Sequence, residues 1–152
     1  MFKIYLRYGI GITVVLIAYF LFLKIVGLHH YPILSVVNGL IYGIGIFMAQ
    51  KKYRSIKNRF KYEKGFELGL LTGGLATILF TGFMAVYLYQ IDSEFAVSIL
   101  KSWELEYESG TAMLLISILL MGFSTTLVLT LAFMQLLKNS WNTPEGDRKT
   151  FK

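Results

Sequence analysis

Cysteine is absent from this 152-residue sequence, and histidine and proline occur only twice each. Without cysteine the chain has no disulfide, no thiolate metal site and no cysteine nucleophile. Charged residues make up only 16% of the chain, whereas 55% is hydrophobic. A single domain of this length cannot bury so much apolar surface in its own core. We therefore expect the excess to face lipid.

Four apolar stretches are long enough to cross a bilayer, which requires about 20 residues of helix. They lie at 9–27, 33–49, 66–89 and 112–137. Lys3 and Arg7 before the first stretch would also suit a signal peptide, but no A-x-A-like cleavage site follows, so a signal anchor is the better interpretation. The sequence predicts an all-α polytopic membrane domain over 1–152, with a tail at 138–152.

Positive charge is concentrated on one side of these spans. The loop between the second and third spans holds seven basic residues: Lys51, Lys52, Arg54, Lys57, Arg59, Lys61 and Lys64. Both terminal segments are also basic, whereas the loop before the fourth span is acidic. Because Lys and Arg are retained in the cytoplasm, we predict cytoplasmic termini. The basic loop could also bind anionic lipid or a cytoplasmic partner, at about 1 kcal/mol per well-placed charge, although topology alone explains it.

The loop before the fourth span is patterned as an amphipathic helix over about 93–108. Asp92 or Ser93 can cap its start, and Gly110 is a natural stop. Its apolar residues recur at helical spacing on one face: Phe95, Ile99, Leu100, Trp103 and Tyr107. We expect this face to lie on the outer surface of the membrane that the spans cross. The helix is acidic, however, so packing on its own bundle or on a partner competes with lipid contact.

Residues able to carry chemistry are few. His29 and His30 could hold a metal with Glu94 or Glu104, but a polar cap on a short turn is the favoured interpretation, because no HExxH-like spacing exists. There is no G-x-S-x-G motif. We predict no catalytic residues, no metal and no cofactor, and a protein that is not an enzyme.

Ionisable residues are also scarce within the spans, which argues against an ion-coupled carrier. Lys24 lies near the outer end of its span, where its ammonium can reach the headgroups. Glu67 can pair with Lys64 or Lys61, or remain unpaired at the interface. Asn38 has the most hydrogen-bonding capacity to satisfy and is expected against another helix.

Small residues recur every four positions along the third span. This row consists of Gly65, Gly69, Gly73, Thr77, Thr81 and Ala85. Because such rows let helix backbones approach closely in lipid, we predict that the row packs against another helix, with Phe80 and Phe83 directed elsewhere. Gly39 and Gly43 form a shorter version in the second span. The partner helix can belong to this chain or to another protein.

Several segments resemble the family known as the domain of unknown function numbered 4199. They are "YGIGITVVLIAYFLF", the "LHHYP" turn, "YEKGFELG" and "YQIDSEF". The resemblance covers nearly the whole chain and implies a four-helix protein found mainly in Bacteroidota, placed in the inner membrane of a two-membrane bacterium. The family has no assigned activity, so the resemblance implies location and topology without a mechanism.

These patterns favour a non-enzymatic accessory or structural subunit of an inner-membrane complex. Its expected partners are the lipid bilayer and other membrane subunits or further copies of itself, and no nucleic acid. The alternative is a small self-associating transporter or channel subunit, in which Asn38 or the threonines of the fourth span would lie on a polar path: Thr125, Thr126 and Thr130.

Overall fold

A computed structural model of the chain describes residues 1–28, 32–56, 62–101 and 107–137, and these residues form helices without any strand. There are five α-helices: α1 Phe2–Val26, α2 Val36–Ile56, α3 Tyr62–Val86, α4 Ser93–Lys101 and α5 Tyr107–Leu137. A 3-10 turn, Pro32–Ser35, leads into α2, and a π-helical turn, Tyr87–Ile91, continues α3.

Four of these helices are long and apolar enough to cross a membrane, which confirms the predicted all-α, multi-pass character. They are longer than the apolar stretches that predicted them. α1 begins at Phe2 rather than near residue 9, and α2 continues to Ile56 rather than ending near residue 49. Hydropathy marks only the part of a helix that lies in lipid, so polar flanking turns are not detected.

The helix predicted over about 93–108 is covered only in part by the described residues. α4 is described over Ser93–Lys101, residues 102–106 lie outside the described residues, and Tyr107 belongs to α5. Gly110, expected as a stop, lies buried within α5 next to the buried Thr111. Tertiary packing at this position outweighs the weak helix propensity of glycine. Trp103, predicted on the same face, falls outside the described residues.

The four long helices alternate in direction. Gly9 of α1 lies beside Thr72 and Leu75 of α3, and further along both helices Phe20 contacts Phe83. α1 and α3 therefore run parallel. Gly73 of α3 meets Thr126 of α5, and four residues later Thr77 meets Gly122, so α5 runs opposite to α3. We call the end where α1 begins and α2 ends the basic end, and the other the α4 end.

The interior is centred on α3. In the most apolar 18-residue stretch of α3, 44% of the residues are buried, against 17% in the corresponding stretch of α5. One core cluster joins Ile12 and Leu16 of α1 to Tyr42 and Ile46 of α2 and Ala76 of α3. A second cluster, at the α4 end, contains the buried residues Met84, Tyr87, Leu88 and Ala96. This second cluster fixes α4 against the bundle.

Candidate functional site

Three positions of the small-residue row in α3 face α5 of the same chain. A methyl group built on Gly69 would lie 2.7 Å from Thr130 Oγ1, and one built on Gly73 would collide with Thr126. One turn further the roles reverse, because a methyl group on Gly122 of α5 would lie 2.7 Å from Thr77 Oγ1. No side chain fits at these glycines without moving α5 away. The helix that packs against these positions is therefore α5 of the same chain.

The remaining row positions do not share that partner. The carbonyl of Gly65 accepts a hydrogen bond from Gln50 Nε2 of α2 at 3.3 Å. Thr81 is buried and lines a cavity described below, and Ala85 is half-buried. The row thus borders α2, α5 and a cavity in turn. Phe83 packs with the apolar cluster at the α4 end, whereas Phe80 packs against both clusters and lines the cavity together with Thr77.

The two glycines singled out in α2 differ in their surroundings. A methyl group on Gly43 would meet the ring of Phe133 at 3.5 Å, an ordinary van der Waals contact with α5. One on Gly39 would meet no atom within 4 Å. Gly39 and the half-buried Asn38 line the cavity instead, and the Asn38 side chain makes no hydrogen bond to the described residues.

Polar side chains are buried along the contacts that α3 makes. Thr77 Oγ1 lies 2.9 Å from the carbonyl of Gly73, to which it donates, and 3.0 Å from the Tyr42 hydroxyl. Because the single Thr77 proton is used on the carbonyl, Tyr42 acts as the donor to Thr77. Four other buried polar atoms lack a hydrogen-bond partner among the described residues: Gln50 Oε1, Thr81 Oγ1, Thr126 Oγ1 and Thr130 Oγ1.

A cavity of about 480 Å³ lies between α2 and α5 toward the α4 end. Its walls include the apolar residues Leu16, Phe80 and Met84, and its polar lining residues are Ser35, Asn38, Tyr42, Thr77, Thr81 and Thr125. Val36 and Met121 also line it and are 63% and 65% exposed, so they mark its mouth. A mostly apolar cavity of this size with a few polar groups has the character of a small-molecule site.

An ion pair holds the α4 end together. Lys24 Nζ of α1 lies 2.7 Å from Asp92 Oδ2 and sits 4.7 Å from the centre of the Tyr87 ring. The other carboxylate oxygen of Asp92 accepts the Phe95 N–H at 2.9 Å, so Asp92 also caps α4. The Lys24 ammonium, assisted by this backbone N–H, holds the pKa of the Asp92 carboxyl below its usual range. We call Lys24, Tyr87 and Asp92 the clasp.

The apolar residues predicted on the outward face of α4 are turned toward the bundle. Leu100 is buried, and Phe95 and Ile99 are half-buried. The Phe95 ring lies 6.2 Å from that of Phe20 and 6.4 Å from that of Tyr87. Contact with a partner or with lipid through this face remains a prediction.

The predicted basic residues are only partly described. Lys51 and Lys52 are exposed at the end of α2, and Arg54 is half-buried. The loop residues Lys57, Arg59 and Lys61 lie outside the described residues, as do His29 and His30. Of the two partners considered for Glu67, Lys64 is the one that the structure provides, at 2.7 Å. Within the described ranges no group of three His, Asp or Glu side chains could hold a metal.

Sequence reasoning missed three features of this interior. Gln50 lay beyond the predicted end of the second span and was not considered, although it is fully buried. Thr126 and Thr130 were considered only for the polar path of the alternative function, yet with Gly122 they form a second row at four-residue spacing that matches the one in α3. The pairing of Lys24 with Asp92 could have been suspected, because both opposite charges lie at the same end of the predicted spans.

The helices and their apolar surfaces define a multi-pass membrane protein. A family model described as a protein of unknown function, DUF4199, matches residues 7–135, and the chain belongs to this family. The matched range runs from α1 nearly to the end of α5, so it includes the glycine contacts, the cavity and the clasp. No curated protein and no solved structure matches the chain. Membership confirms the resemblance and brings no activity with it.

Proposed function

We propose that this protein is a non-enzymatic accessory subunit of a membrane protein complex in the inner membrane, with both termini in the cytoplasm. The orientation is supported by the basic residues at one end of the bundle and the acidic Asp92 and Glu94 at the other. The protein's own row of glycines is used inside the bundle, so the partner must bind elsewhere. The outward face of α3 offers such a surface.

The observation that carries the proposal is an unoccupied notch at Gly82. This glycine is exposed on α3, and a methyl group built on it would meet nothing within 4 Å. Large side chains surround it on the same face, with Ile78 55%, Leu79 41% and Val86 49% exposed. Glycine within a helix costs about 1 kcal/mol relative to alanine. At Gly73 close packing with α5 offsets this cost, but at Gly82 no contact within the described bundle does.

A second helix packed at Gly82 would offset the cost of having glycine there. In lipid, helices associate through close backbone approach and van der Waals packing, and a glycine between bulky neighbours accepts a side chain from the partner. The notch lies on the exposed face of α3, whose other faces pack on α1, α2 and α5. We propose a transmembrane helix of another subunit as its occupant.

The test compares a large and a small substitution at the same position of α3. Gly82→Leu fills the notch and should leave the thermal stability of the purified protein unchanged while abolishing recovery of partner subunits in a mild-detergent pull-down analysed by mass spectrometry. Gly82→Ala, which is much smaller, serves as the matched control and should retain most of the partner. If Gly82→Leu recovers the same stoichiometric partners as wild type, this face is not the interface. A wild-type chain that purifies alone, without stoichiometric partners, contradicts the accessory role itself.

A self-associating transporter or channel subunit is the second candidate. The observation that favours it is the set of buried polar atoms without partners, two of which belong to Thr126 and Thr130 on successive turns of α5. Polar groups in lipid that are not satisfied by the fold often lie on a substrate path. Reconstituted flux that is lost on changing Asn38 or Thr125 would support it. A protein that is monomeric in native nanodiscs and shows no flux would eliminate it.

A further inference from the structure

A groove of about 420 Å³ runs between α1 and α2 on the side facing lipid, separate from the cavity between α2 and α5. Its lining includes Gly11 and the buried Ile12, with Val15, Ile44 and Met48 as partly exposed walls. A methyl group built on Gly11 would meet no atom within 4 Å, so the groove is open at that glycine. From Val15 to Arg7 it spans eight residues of α1, or about 12 Å at 1.5 Å per residue.

The groove changes character at the basic end of the bundle. There it is lined by Tyr8 and by Arg7, which is exposed and forms no salt bridge with any described residue. On α2, Met48 is followed one turn later by the exposed Lys51 and Lys52. The apolar groove within the span therefore leads to a cluster of positive charge at the headgroup level.

We infer that this groove binds one anionic glycerophospholipid, with an acyl chain between α1 and α2 and the phosphate at Arg7. The apolar walls and lipid-facing position suit an acyl chain delivered laterally from the bilayer. A guanidinium binds phosphate oxygens bidentately, which a simple point charge does not. Lys51 and Lys52 add attraction for a headgroup with net negative charge, at about fivefold in affinity for each well-placed cation. This inference does not depend on the proposed accessory role.

Gly11 is not needed for close packing of the helices, but it keeps the groove open. A methyl group at this position would contact no atom of the bundle, and a longer side chain would project into the groove and occupy the path of the acyl chain. The two halves of the site can thus be removed separately. Arg7→Gln removes the phosphate contact, and Gly11→Leu blocks the chain while leaving every charge in place.

The experiment measures binding of phosphatidylglycerol and phosphatidylcholine to the delipidated full-length protein by native mass spectrometry. Wild type should retain one phosphatidylglycerol with at least about fivefold preference over phosphatidylcholine. Arg7→Gln should lose most of that preference, and Gly11→Leu should lose retention of both lipids. Lys3→Gln, at the same end but outside the groove, and Gly82→Leu, an open glycine on another face, are the matched controls and should behave as wild type. Thermal unfolding of each variant verifies that it is folded.

Two results would overturn the inference. If Lys3→Gln reduces the preference as much as Arg7→Gln, the binding reflects general surface charge rather than this site. If Gly11→Leu is folded and retains phosphatidylglycerol normally, the acyl chain does not occupy the groove. Inorganic phosphate added at millimolar concentration should not displace the lipid, and displacement would indicate a simple anion site without an acyl component.

Discussion

The side chain of Thr126 lies directly against the bare backbone of Gly73, so that only this side chain separates α5 from α3 at that point. The same arrangement occurs one turn away in each direction, with Thr130 at Gly69 and, reversed, Thr77 at Gly122. Because hydrophobicity does not drive helices together in lipid, such close contacts must supply the association energy. The glycines of α3 are therefore part of the protein's own fold.

Replacing Gly73 with leucine should damage the bundle. The new side chain would overlap Thr126 and force α5 away over several turns, and overpacking of this kind typically costs about 1–3 kcal/mol. We expect a clear fall in the temperature at which the purified protein unfolds. Leu70→Met, a volume-conserving change on the same helix, should be nearly silent. Wild-type stability in Gly73→Leu would mean that the contact with Thr126 does not exist.

Thr126→Val should leave stability unchanged or raise it. The hydroxyl of Thr126 is buried and has no hydrogen-bond partner among the described residues, and an unsatisfied buried polar group costs about 1–3 kcal/mol. Valine keeps the branched shape that contacts Gly73. Thermal unfolding distinguishes the outcomes, because a marked loss of stability would show that the hydroxyl bonds to a group such as a buried water and contributes to the fold.

The clasp should contribute through two separable interactions. Asp92→Asn removes the charge that pairs with Lys24 but leaves a side chain that can still cap α4, since asparagine caps about as well as aspartate. Asp92→Ala removes both, together with the hydrogen bond that the Tyr87 hydroxyl donates to Oδ2 at 3.2 Å, and should therefore destabilise more. A double-mutant cycle with Lys24→Met isolates the ion pair, and additive effects would show that the two residues do not interact.

The ion pair also predicts a pH dependence. Because the pKa of Asp92 is lowered in the folded protein, its stabilising effect is complete above the unfolded value of about 3.9 and is lost as the pH falls through the lower folded value. The difference in unfolding temperature between wild type and Asp92→Asn should stay constant from about pH 5 to 8 and shrink below about pH 4. A difference that disappears near neutral pH would contradict the assignment.

The orientation can be measured directly, because the natural chain has no cysteine to interfere. A cysteine at the exposed Lys101 should react with a membrane-impermeant maleimide from outside the inner membrane. One at the exposed Lys52 should react only after that membrane is permeabilised. The reverse pattern would overturn the proposed topology.

Much of the fold could be predicted from the sequence because hydropathy alone identifies the long helices. The four-residue spacing of small residues predicts the row in α3, and the same spacing predicts that the row is buried against another helix. Spacing could not say which helix would face it, since that depends on how the helices are arranged in three dimensions. The matching row that contains Gly122 and Thr126 was available in the sequence and would have identified α5.

The candidate sites were less predictable for a physical reason. The groove at Gly11 and the notch at Gly82 are places where side chains are missing, and neither glycine belongs to a row of small residues at four-residue spacing. Their openness depends on what neighbouring helices leave uncovered. Similarly, Lys24 and Asp92 are 68 positions apart in the printed sequence. The predicted spans place both charges at the same end, but which acidic residue Lys24 contacts is visible only when α1 and the end of α3 are placed side by side.

Cysteine cross-linking provides the most direct test of the packing of α3 against α5 within one chain. The built Cβ of Gly122 lies 3.1 Å from the Cβ of Thr77, slightly closer than the 3.5–4.5 Å that a disulfide spans. Oxidation of the Thr77→Cys, Gly122→Cys protein in membranes should give a cross-link within single chains, at monomer mass. A Gly82→Cys, Gly122→Cys control, with one cysteine on the outward face of α3, should give none within the chain. A Thr77–Gly122 pair that cross-links only between chains, or not at all, would contradict this account.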